Sequence, residues 1–531
     1  MIATRSLHSV ATAAAFLVIA PVLAVVHQSL LGAGQGALEH LTQTVLPRFV
    51  LTSVELSAAV LALTLLMGVG CAWLVAAFEF PLRRWLVPAL ILPLAVPAFV
   101  MAYAYTDAFD TSGYVRDLLA RWTDGAVGGP GQWFEIRSLA GAALMLSLAL
   151  YPYVFLLARV AFAERSLALA EAARSLGVSG LALWWRVTVP AARPAIVAGA
   201  ALVLMESLAD FGAVSYFAVD TLSAGIYRAW QGMGDSVAAA RLAVTLLVGL
   251  GVLAWVERHF RSQLESPMRL GRSPQRRRLQ GAAGAMAAVA CAAPALLGFV
   301  LPVLLLIRAA WSADGGFDAR IWSWTMNSAL LGASGAAVTV GGALLAAYAV
   351  RLAPGSWNVW ASRIACSGYA LPGVVIAVGM LSILQLADVL GMSWLRGGLW
   401  ILVWAYCVRF FSVAFQSLQA GLKRISPAMD ASARSLGESP AMVLRRVHWP
   451  ILKPSVGVAA LLVFVDGLKE LPATLVLRPF DFDTLAVVAY QFASDERLSM
   501  AAAPSLVIVA LALIPTAWLA WRVNMTGSAG A

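Results

Sequence analysis

Two pairs of carboxylates lie inside apolar stretches of this sequence, where charged side chains are rare. Glu206 and Asp210 are four residues apart, and so are Asp466 and Glu470. A spacing of four places both members of a pair on one face of an α-helix. Carboxylate oxygens bind hard cations and can relay protons, so both pairs are candidates for contact with a charged solute.

The apolar surroundings restrict where these side chains can point. A charged residue at the centre of a membrane span costs about 2.5–3.5 kcal/mol on insertion scales. We therefore expect the carboxylates to face the interior of a helix bundle or its outer mouth. A structural role is the alternative, because Lys469 could pair with Asp466 in the same helix and Arg228 with Asp210 across a loop.

The composition indicates a membrane protein. Of the 531 residues, 61% are hydrophobic and only 12% are charged, whereas about a quarter of the residues of a soluble domain are charged. This excludes a soluble enzyme, a nucleic-acid-binding domain and a disordered scaffold. The net charge of +10 is explained by basic cytoplasmic loops, so no nucleic acid is expected as a partner. The four cysteines are isolated and match neither a disulfide nor a metal-site pattern.

About twelve apolar runs are long enough to cross a bilayer, and only helices satisfy their backbone groups in lipid. The runs cover residues 10–31, 51–78, 85–105, 139–162, 192–217, 237–256, 281–307, 328–350, 364–386, 399–418, 455–477 and 501–521. The sequence therefore predicts an all-α polytopic membrane protein. Lys and Arg concentrate after the even-numbered runs and acidic residues on the other side, so both termini are expected in the cytoplasm.

The chain contains an internal repeat. Identities between residues 173–194 and 433–454 recur at a constant offset of 260, and the carboxylate pairs share this offset. Pro97 and Pro372 correspond at an offset of 275. We expect two parallel six-helix halves related by an axis along the membrane normal. The predicted division is a first half (1–257), a basic cytoplasmic linker (258–280) and a second half (281–531).

The repeat includes two cytoplasmic loops, loop A (residues 164–190) and loop B (residues 424–450). Each is predicted to form two short helices joined at a glycine, Gly177 or Gly437, whose left-handed conformation ends the first helix. Ser439 is an N-cap for the second helix of loop B, which is expected to end before Pro450. Two copies of one compact helix pair favour a docking surface over an ordinary connector.

The motif Glu-Ala-Ala, Leu-Gly and two prolines in loop A resembles the cytoplasmic loop of permease subunits of ABC importers, which docks on an ATP-hydrolysing subunit. In loop B, Ala431 and Ser432 replace the first two residues of the motif, and Asp430 lies one residue early. The resemblance assigns ATPase coupling to Glu171, Ala172, Ala173, Gly177, Asp430, Ala433 and Gly437.

Residues 208–230 and 469–498 are similar to the fused permease of bacterial ferric-iron importers. The resemblance implies a type I ABC importer permease fold in the bacterial inner membrane, with ferric iron (Fe³⁺) as the transported substrate. It implies two copies of an ABC ATPase subunit, which hold the ATP-Mg, and a periplasmic ferric-iron-binding protein that docks on the outer loops 107–135 and 481–497. No cofactor is expected on this chain. Because ferric iron is a hard cation, transient iron contact is predicted along a translocation path at Glu206, Asp210, Asp466 and Glu470.

Two other functions stay open at this stage. Thiamine or another small solute is the alternative cargo within the same class. An ion-coupled secondary transporter also has six-span halves, but it does not need two matching cytoplasmic loops. The chain has no GxxxxGK[ST] phosphate-binding loop, so ATP hydrolysis is expected in a separate subunit and the chain is not expected to be an enzyme.

Overall fold

Helices make up nearly all regular structure in the computed structural model, which describes residues 2–31, 45–110, 113–123, 135–163, 172–178, 180–262, 276–312, 319–353, 355–395 and 397–528. The first helices are α1 (Ile2–Leu31), α2 (Leu46–Ala77), α3 (Arg83–Ala89), α4 (Ala98–Phe109), α5 (Tyr114–Trp122), α6 (Leu139–Ala161), α7 (Gly180–Leu183), α8 (Val189–Ala209), α9 (Gly212–Tyr216), α10 (Leu222–Tyr227) and α11 (Ser236–Ser262). Those that follow are α12 (Gly281–Ala295), α13 (Leu301–Ser312), α14 (Ile321–Leu352), α15 (Ser356–Cys366), α16 (Gly373–Val389), α17 (Leu399–Lys423), α18 (Pro427–Ser435), α19 (Pro440–Val443), α20 (Trp449–Leu468), α21 (Pro472–Leu477), α22 (Leu485–Ser494) and α23 (Leu498–Ser528). In the described residues the strands are limited to one short parallel pair, β1 (Phe78–Glu79) and β2 (Arg277–Arg278).

Ten helical stretches among the described residues are long and apolar enough to cross a bilayer, which confirms the polytopic all-α class. They are Ser9–Leu30, Leu46–Ala77, Leu139–Ala161, Trp184–Ala209, Ser236–Glu257, Gly281–Trp311, Ile321–Leu352, Leu399–Lys423, Ala441–Leu468 and Leu498–Trp521. The third and ninth of the twelve predicted runs are not uninterrupted spans. The third is a pair of helices, Arg83–Ala95 and Ala98–Trp122, bent by 95°. The ninth contains α16, which has only 17 residues.

Both interruptions lie at the repeated proline. Val96 and Leu371, which precede Pro97 and Pro372, have extended backbones with ψ of 111° and 122°. The ring of a proline disfavours the helical conformation for the residue before it. Each proline is preceded by a short 3₁₀ turn and followed directly by a new helix, α4 or α16. Hydropathy alone did not reveal the breaks because the residues around them are apolar.

The chain divides into two compact units. Unit 1 comprises Met1–Glu39, Ile226–Val244 and Arg320–Val487, and unit 2 comprises His40–Gly225, Thr245–Ala319 and Val488–Ala531. Each unit contains segments from both sequence halves, with loop A in unit 2 and loop B in unit 1. The predicted division at the basic linker, 258–280, describes the repeat along the sequence and stays a prediction.

One buried hydrogen bond recurs in both units. The N–H of Leu222, the first residue of α10, donates to Ser53 Oγ at 2.9 Å in unit 2. In unit 1 the N–H of Leu485, the first residue of α22, donates to Ser328 Oγ at 2.8 Å. The two serines are separated by the same 275 positions as the repeated prolines. The bond supplies a partner for an N–H that a helix start leaves unsatisfied, and its recurrence supports the internal repeat.

Close packing of α1 in unit 1 depends on small residues. Ala11 and Ala15 are buried against Ala361 of α15. Gly379 of α16 lies so close to the carbonyl of Pro21 that a Cβ atom at position 379 would overlap the oxygen. Small residues of this kind let two helix backbones approach each other in a membrane protein.

This contact predicts that Gly379→Leu destabilises the fold. Overpacking of a tight contact costs about 1–3 kcal/mol, and the backbone carbonyl of Pro21 cannot move aside as a side chain could. We expect a lower midpoint of thermal unfolding for the purified protein in detergent. Gly341→Leu on α14 is the control, because a Cβ at this exposed position meets nothing within 4 Å. Equal midpoints for the two variants would contradict the predicted contact.

Candidate coupling loops and carboxylate sites

The glycines of loops A and B have the left-handed conformation that the sequence predicts. The φ angle is +85° at Gly177 and +80° at Gly437. In each loop, the N–H of the next residue bonds to a carbonyl five positions earlier. These bonds are Val178 N to Ala173 O at 3.0 Å and Glu438 N to Ala433 O at 3.1 Å. The pattern is that of a Schellman cap, in which glycine adopts the positive φ at little cost.

A leucine stands exposed next to the glycine of each loop. Leu176 and Leu436 are both 83% exposed. The sequence comparison found these leucines as repeated residues but gave no reason to assign them a role. The same apolar side chain is therefore exposed at the same place in both copies. Ala172 is also exposed, whereas Glu171 lies outside the described residues and its predicted role stays a prediction.

The second helix of each loop continues into the following span. In loop B, Ser439 caps α19 as predicted, and a π-helical turn, Leu444–His448, then joins α19 to α20. Loop A has the corresponding turn at Trp184–Thr188. The expectation that the helix ends before Pro450 is therefore wrong. The π turn ends at His448, two residues before Pro450, and the missing N–H and the ring of the proline disturb the regular α-helical hydrogen bonds there.

Asp430 of loop B points into unit 1 rather than to the surface. Its side chain is 14% exposed, with Arg351 Nε 2.9 Å from Oδ2 and His448 Nε2 2.7 Å from Oδ1. Desolvation opposes ionisation of the carboxyl, but the hydrogen bonds with Arg351 and His448 outweigh it and hold the pKa of Asp430 below its ordinary value. The carboxylate is therefore ionised at neutral pH. Sequence reasoning missed Arg351 and His448, although His448 differs from Thr188 at the corresponding place in loop A.

The two predicted carboxylate pairs do not each share one helix. α8 and α20 end before Asp210 and Glu470, which lie in breaks ahead of α9 and α21. Asp210 Oδ2 accepts the N–H groups of Ala213 and Val214 at 3.1 Å each. Glu470 Oε1 accepts the N–H of Ala473 at 3.2 Å. Each carboxylate thus caps the helix that follows it, a use of acidic residues that helix starts favour.

These breaks lie at the far ends of the long helices from loops A and B. The stretch Trp184–Ala209 has 26 residues, which is about 39 Å of α-helix. This exceeds the hydrocarbon thickness of a bilayer, about 30 Å. With loops A and B in the cytoplasm, as the basic residues predict, the breaks fall toward the outer side.

Glu470 also forms a buried ion pair that the sequence did not reveal. Arg409 Nε of α17 lies 2.9 Å from Glu470 Oε2, and the two side chains are 17% and 3% exposed. One turn earlier on α17, the hydroxyl of Tyr406 donates to the carbonyl of Gly467 at 3.0 Å and lies 2.9 Å from Thr474 Oγ1. The broken segment between α20 and α21 is therefore held to α17 by polar side chains. Arg409 lies within an apolar run of the sequence, and this was the signal that could have indicated a buried ion pair.

Glu206 and Asp466 lie one turn earlier, inside α8 and α20, and are partly buried. No hydrogen bond or ion pair joins Glu206 to another described residue. Glu206 and Asp210 belong to unit 2, and Asp466 and Glu470 to unit 1. Across the described residues, no group of three or more His, Cys, Asp or Glu side chains is arranged to hold a metal ion. Iron contact at the four carboxylates, transient during passage, stays a prediction.

Unit 2 contains a polar cavity of about 500 Å³. It is lined by Thr106, Asp107, Asp110, Arg137, Glu496, Leu498 and Ser499. Arg137 lies 3.2 Å from Asp110 and 3.3 Å from Glu496, so it joins the start of α6 to two acidic segments. Both predicted docking loops, 107–135 and 481–497, contribute acidic residues here. Residues 111–112 and 124–134 of the first lie outside the described residues, and docking stays a prediction.

Part of the chain resembles a known family of transport proteins. Residues 64–263 match the family described as "Binding-protein-dependent transport system inner membrane component". Over these residues the chain is similar to the inner-membrane components of binding-protein-dependent transport systems. The matched segment begins within α2 and includes α4, α6, α8 and loop A. The family description and the candidate spans agree on a multi-pass protein of the inner membrane.

Three relatives show what this chain is similar to. The Fe(3+)-transport system permease protein FbpB 2 of Haemophilus influenzae is 25% identical over 460 residues, 85% of each chain. The molybdenum transport system permease protein ModB of Escherichia coli is 27% identical over 219 residues, 39% of this chain and 92% of ModB. The putative 2-aminoethylphosphonate transport system permease protein PhnV of Salmonella typhimurium is 29% identical over 250 residues, 44% of this chain and 91% of PhnV. All three are named as transport permeases.

The Arg409–Glu470 pair predicts a non-additive effect on stability. Removing one partner leaves a buried charge without its counter-charge, which costs about 3–5 kcal/mol, whereas replacing both can be nearly neutral. We expect Arg409→Met and Glu470→Gln each to lower the thermal unfolding midpoint strongly, and the double variant to recover most of the loss. A double variant no more stable than the sum of the two losses would show that the side chains do not interact.

Proposed function

We propose that the permease carries ferric iron from the periplasm to the cytoplasm by alternating access, with energy from two copies of a separate ABC ATPase subunit. A periplasmic ferric-iron-binding protein delivers the cargo to the outer loops. ATP binding brings the ATPase subunits together, and loops A and B transmit this movement to the helices. Each ligand shifts the equilibrium between the two access states only by its differential affinity for them.

The coupling proposal is supported by the matched geometry of the two loops. Each loop has a glycine-ended helix, an exposed leucine and a π turn that leads without interruption into a long helix. A force applied to the loop therefore acts directly on the span. A secondary transporter has no use for such a pair of cytoplasmic surfaces, which disfavours that alternative.

The cargo proposal rests on the relative with the widest coverage. FbpB 2 is named as an Fe(3+)-transport permease and covers both halves of this chain, whereas ModB and PhnV cover less than half of it. Carboxylates suit a hard cation and would repel molybdate or a phosphonate. Asp210 and Glu470 act as helix caps. We therefore propose Glu206 of α8 and Asp466 of α20, each one turn before a break, as the carboxylates closest to the moving ion.

Reconstitution tests the proposed function. The permease, its cognate ATPase and the binding protein are placed in liposomes, and uptake of radioactive ferric iron is measured with and without ATP. We expect uptake that needs ATP and the binding protein and is unaffected by collapse of the proton gradient. Uptake driven by a proton gradient would favour a secondary transporter. ATP-driven uptake of molybdate or thiamine in place of iron would overturn the cargo.

The loop geometry predicts that Gly437→Val impairs coupling. A residue with a Cβ atom costs about 1–2 kcal/mol in the left-handed conformation, and valine is especially restricted there. We expect loss of ATP-driven uptake and weaker co-purification of the ATPase. Gly391→Val is the matched control, because Gly391 has a similar φ of +76° in unit 1 but lies outside loops A and B. Coupling that survives Gly437→Val, or fails equally in the control, would contradict the prediction.

Neutral replacement tests the translocation path. We expect Glu206→Gln and Asp466→Asn to reduce iron uptake several-fold while the ATPase still co-purifies, because each removes a negative charge from the path. Glu55→Gln on the exposed face of α2 is the control in unit 2. Full iron transport in both variants would remove these residues from the path.

A further inference from the structure

A charged side chain joins loop B to two helices of unit 1. Arg351, next to the last residue of α14, donates hydrogen bonds from all three guanidinium nitrogens. Nε bonds to Asp430 Oδ2 at 2.9 Å, Nη1 to the carbonyl of Leu422 at 2.7 Å, and Nη2 to the carbonyl of Ile425 at 3.0 Å. Leu422 is in the last turn of α17, where carbonyls have no partner within the helix. One arginine thereby connects the ends of α14 and α17 with α18.

His448 approaches the same carboxylate from the other end of loop B. The side chain is fully buried, and its Nε2 lies 2.7 Å from Asp430 Oδ1. An ionised carboxylate only accepts hydrogen bonds, so Nε2 carries the donated proton. The imidazole also packs edge-on against the ring of Tyr348 of α14, with 5.5 Å between ring centroids. Asp430 thus bonds toward α14 with one oxygen and toward the π turn with the other.

The sequence of loop A does not repeat the aspartate and the histidine of this network. At the repeat offset of 260, Asp430 and His448 correspond to Ala170 and Thr188. An alanine and a threonine cannot form an ion pair. Thr188 Oγ1 bonds instead to the carbonyl of Leu183 at 3.3 Å, within its own helix. The two loops share the glycine geometry, but the aspartate and the histidine of loop B are not repeated in loop A.

We propose that Arg351, Asp430 and His448 form a charge lock that fixes loop B to α14 and α17. Loop B then moves as one body with these helices. Because loop A has Ala170 and Thr188 at the positions of Asp430 and His448, this lock cannot form there and the two coupling loops are mechanically unequal. Arg351 is a positioning residue, because it acts through Asp430 and touches neither cargo nor nucleotide. The lock itself does not depend on the proposed function, but its role in coupling does.

The chemistry of the lock sets which substitutions break it. The planar guanidinium reaches three acceptors in fixed directions, and a lysine ammonium cannot reproduce that fork. Loss of any one partner leaves a buried charge with incomplete hydrogen bonds. We therefore expect Arg351→Met to release loop B completely and Arg351→Lys to release it in part.

Spin-label mobility tests the lock on the full-length permease in lipid nanodiscs, with no partner present. A nitroxide is attached through Leu436→Cys or Leu176→Cys in a variant without the four native cysteines, since both positions are 83% exposed. We expect the label at position 436 to be the less mobile, and Arg351→Met to raise its mobility to that at 176 without changing 176. If Arg351→Met gives too little protein, Asp430→Asn and His448→Gln are expected to act in the same direction. Equal mobility in the parent protein, or no response at 436, would overturn the lock.

A second measurement separates a role of the lock in coupling from a purely structural role. In the reconstituted complex, we expect Arg351→Met to lower the number of cargo ions moved per ATP hydrolysed by about tenfold, while the ATPase stays attached and active. Arg351→Lys should recover part of this ratio, and Arg363→Met, an exposed arginine of α15, should not change it. If label mobility responds but the ratio does not, the coupling role is overturned and the lock is only structural. Absence of ATP-driven uptake in the parent complex would instead overturn the proposed function.

Discussion

The interior of a lipid bilayer offers no water to the spans, and the rest of this structure depends on that constraint. In lipid, every interrupted backbone and every charge must find its partner within the protein. The helix breaks of this chain follow this rule. Asp210 and Glu470 cap the helices that start after a break, and Ser53 and Ser328 supply hydroxyls to two other helix starts. Polar residues therefore lie where the helices are interrupted.

The same rule explains which features could be read from the sequence. The apolar runs located the ten spans, the bent helix pair of the third run and the short helix of the ninth run. They could do so because hydropathy depends on composition alone. The left-handed Gly177 and Gly437 were predicted because a helix end is a local structure. The partners Arg351 and Arg409 were not, since each meets a carboxylate at least 60 positions away in the sequence and nothing local indicates such a contact. The π turn of loop B was missed because Pro450 was interpreted as marking a helix end.

The carboxylates show how the two kinds of evidence complement each other. The four-residue spacing suggested two equivalent pairs on helix faces. The structure separates each pair into a helix cap, Asp210 or Glu470, and a residue inside the helix, Glu206 or Asp466. Cargo contact at Glu206 and Asp466 is our proposal. The repeat is therefore preserved in backbone design, while the side chains around it differ, as Arg409 and the charge lock at Asp430 show. Duplication followed by divergence gives two related sequence halves whose coupling loops need not move alike.

Site-specific cross-linking to the ATPase subunit tests the central claim, that loops A and B receive the movement of a nucleotide motor, most directly. Single cysteines introduced as Leu176→Cys and Leu436→Cys are exposed beside the two glycines, and Leu390→Cys, 63% exposed beyond the end of α16, serves as a control. The account predicts that positions 176 and 436 each cross-link to an ATPase subunit in the intact complex, with a yield that changes when ATP binds, and that position 390 does not. An intact, active complex in which neither 176 nor 436 cross-links would contradict it.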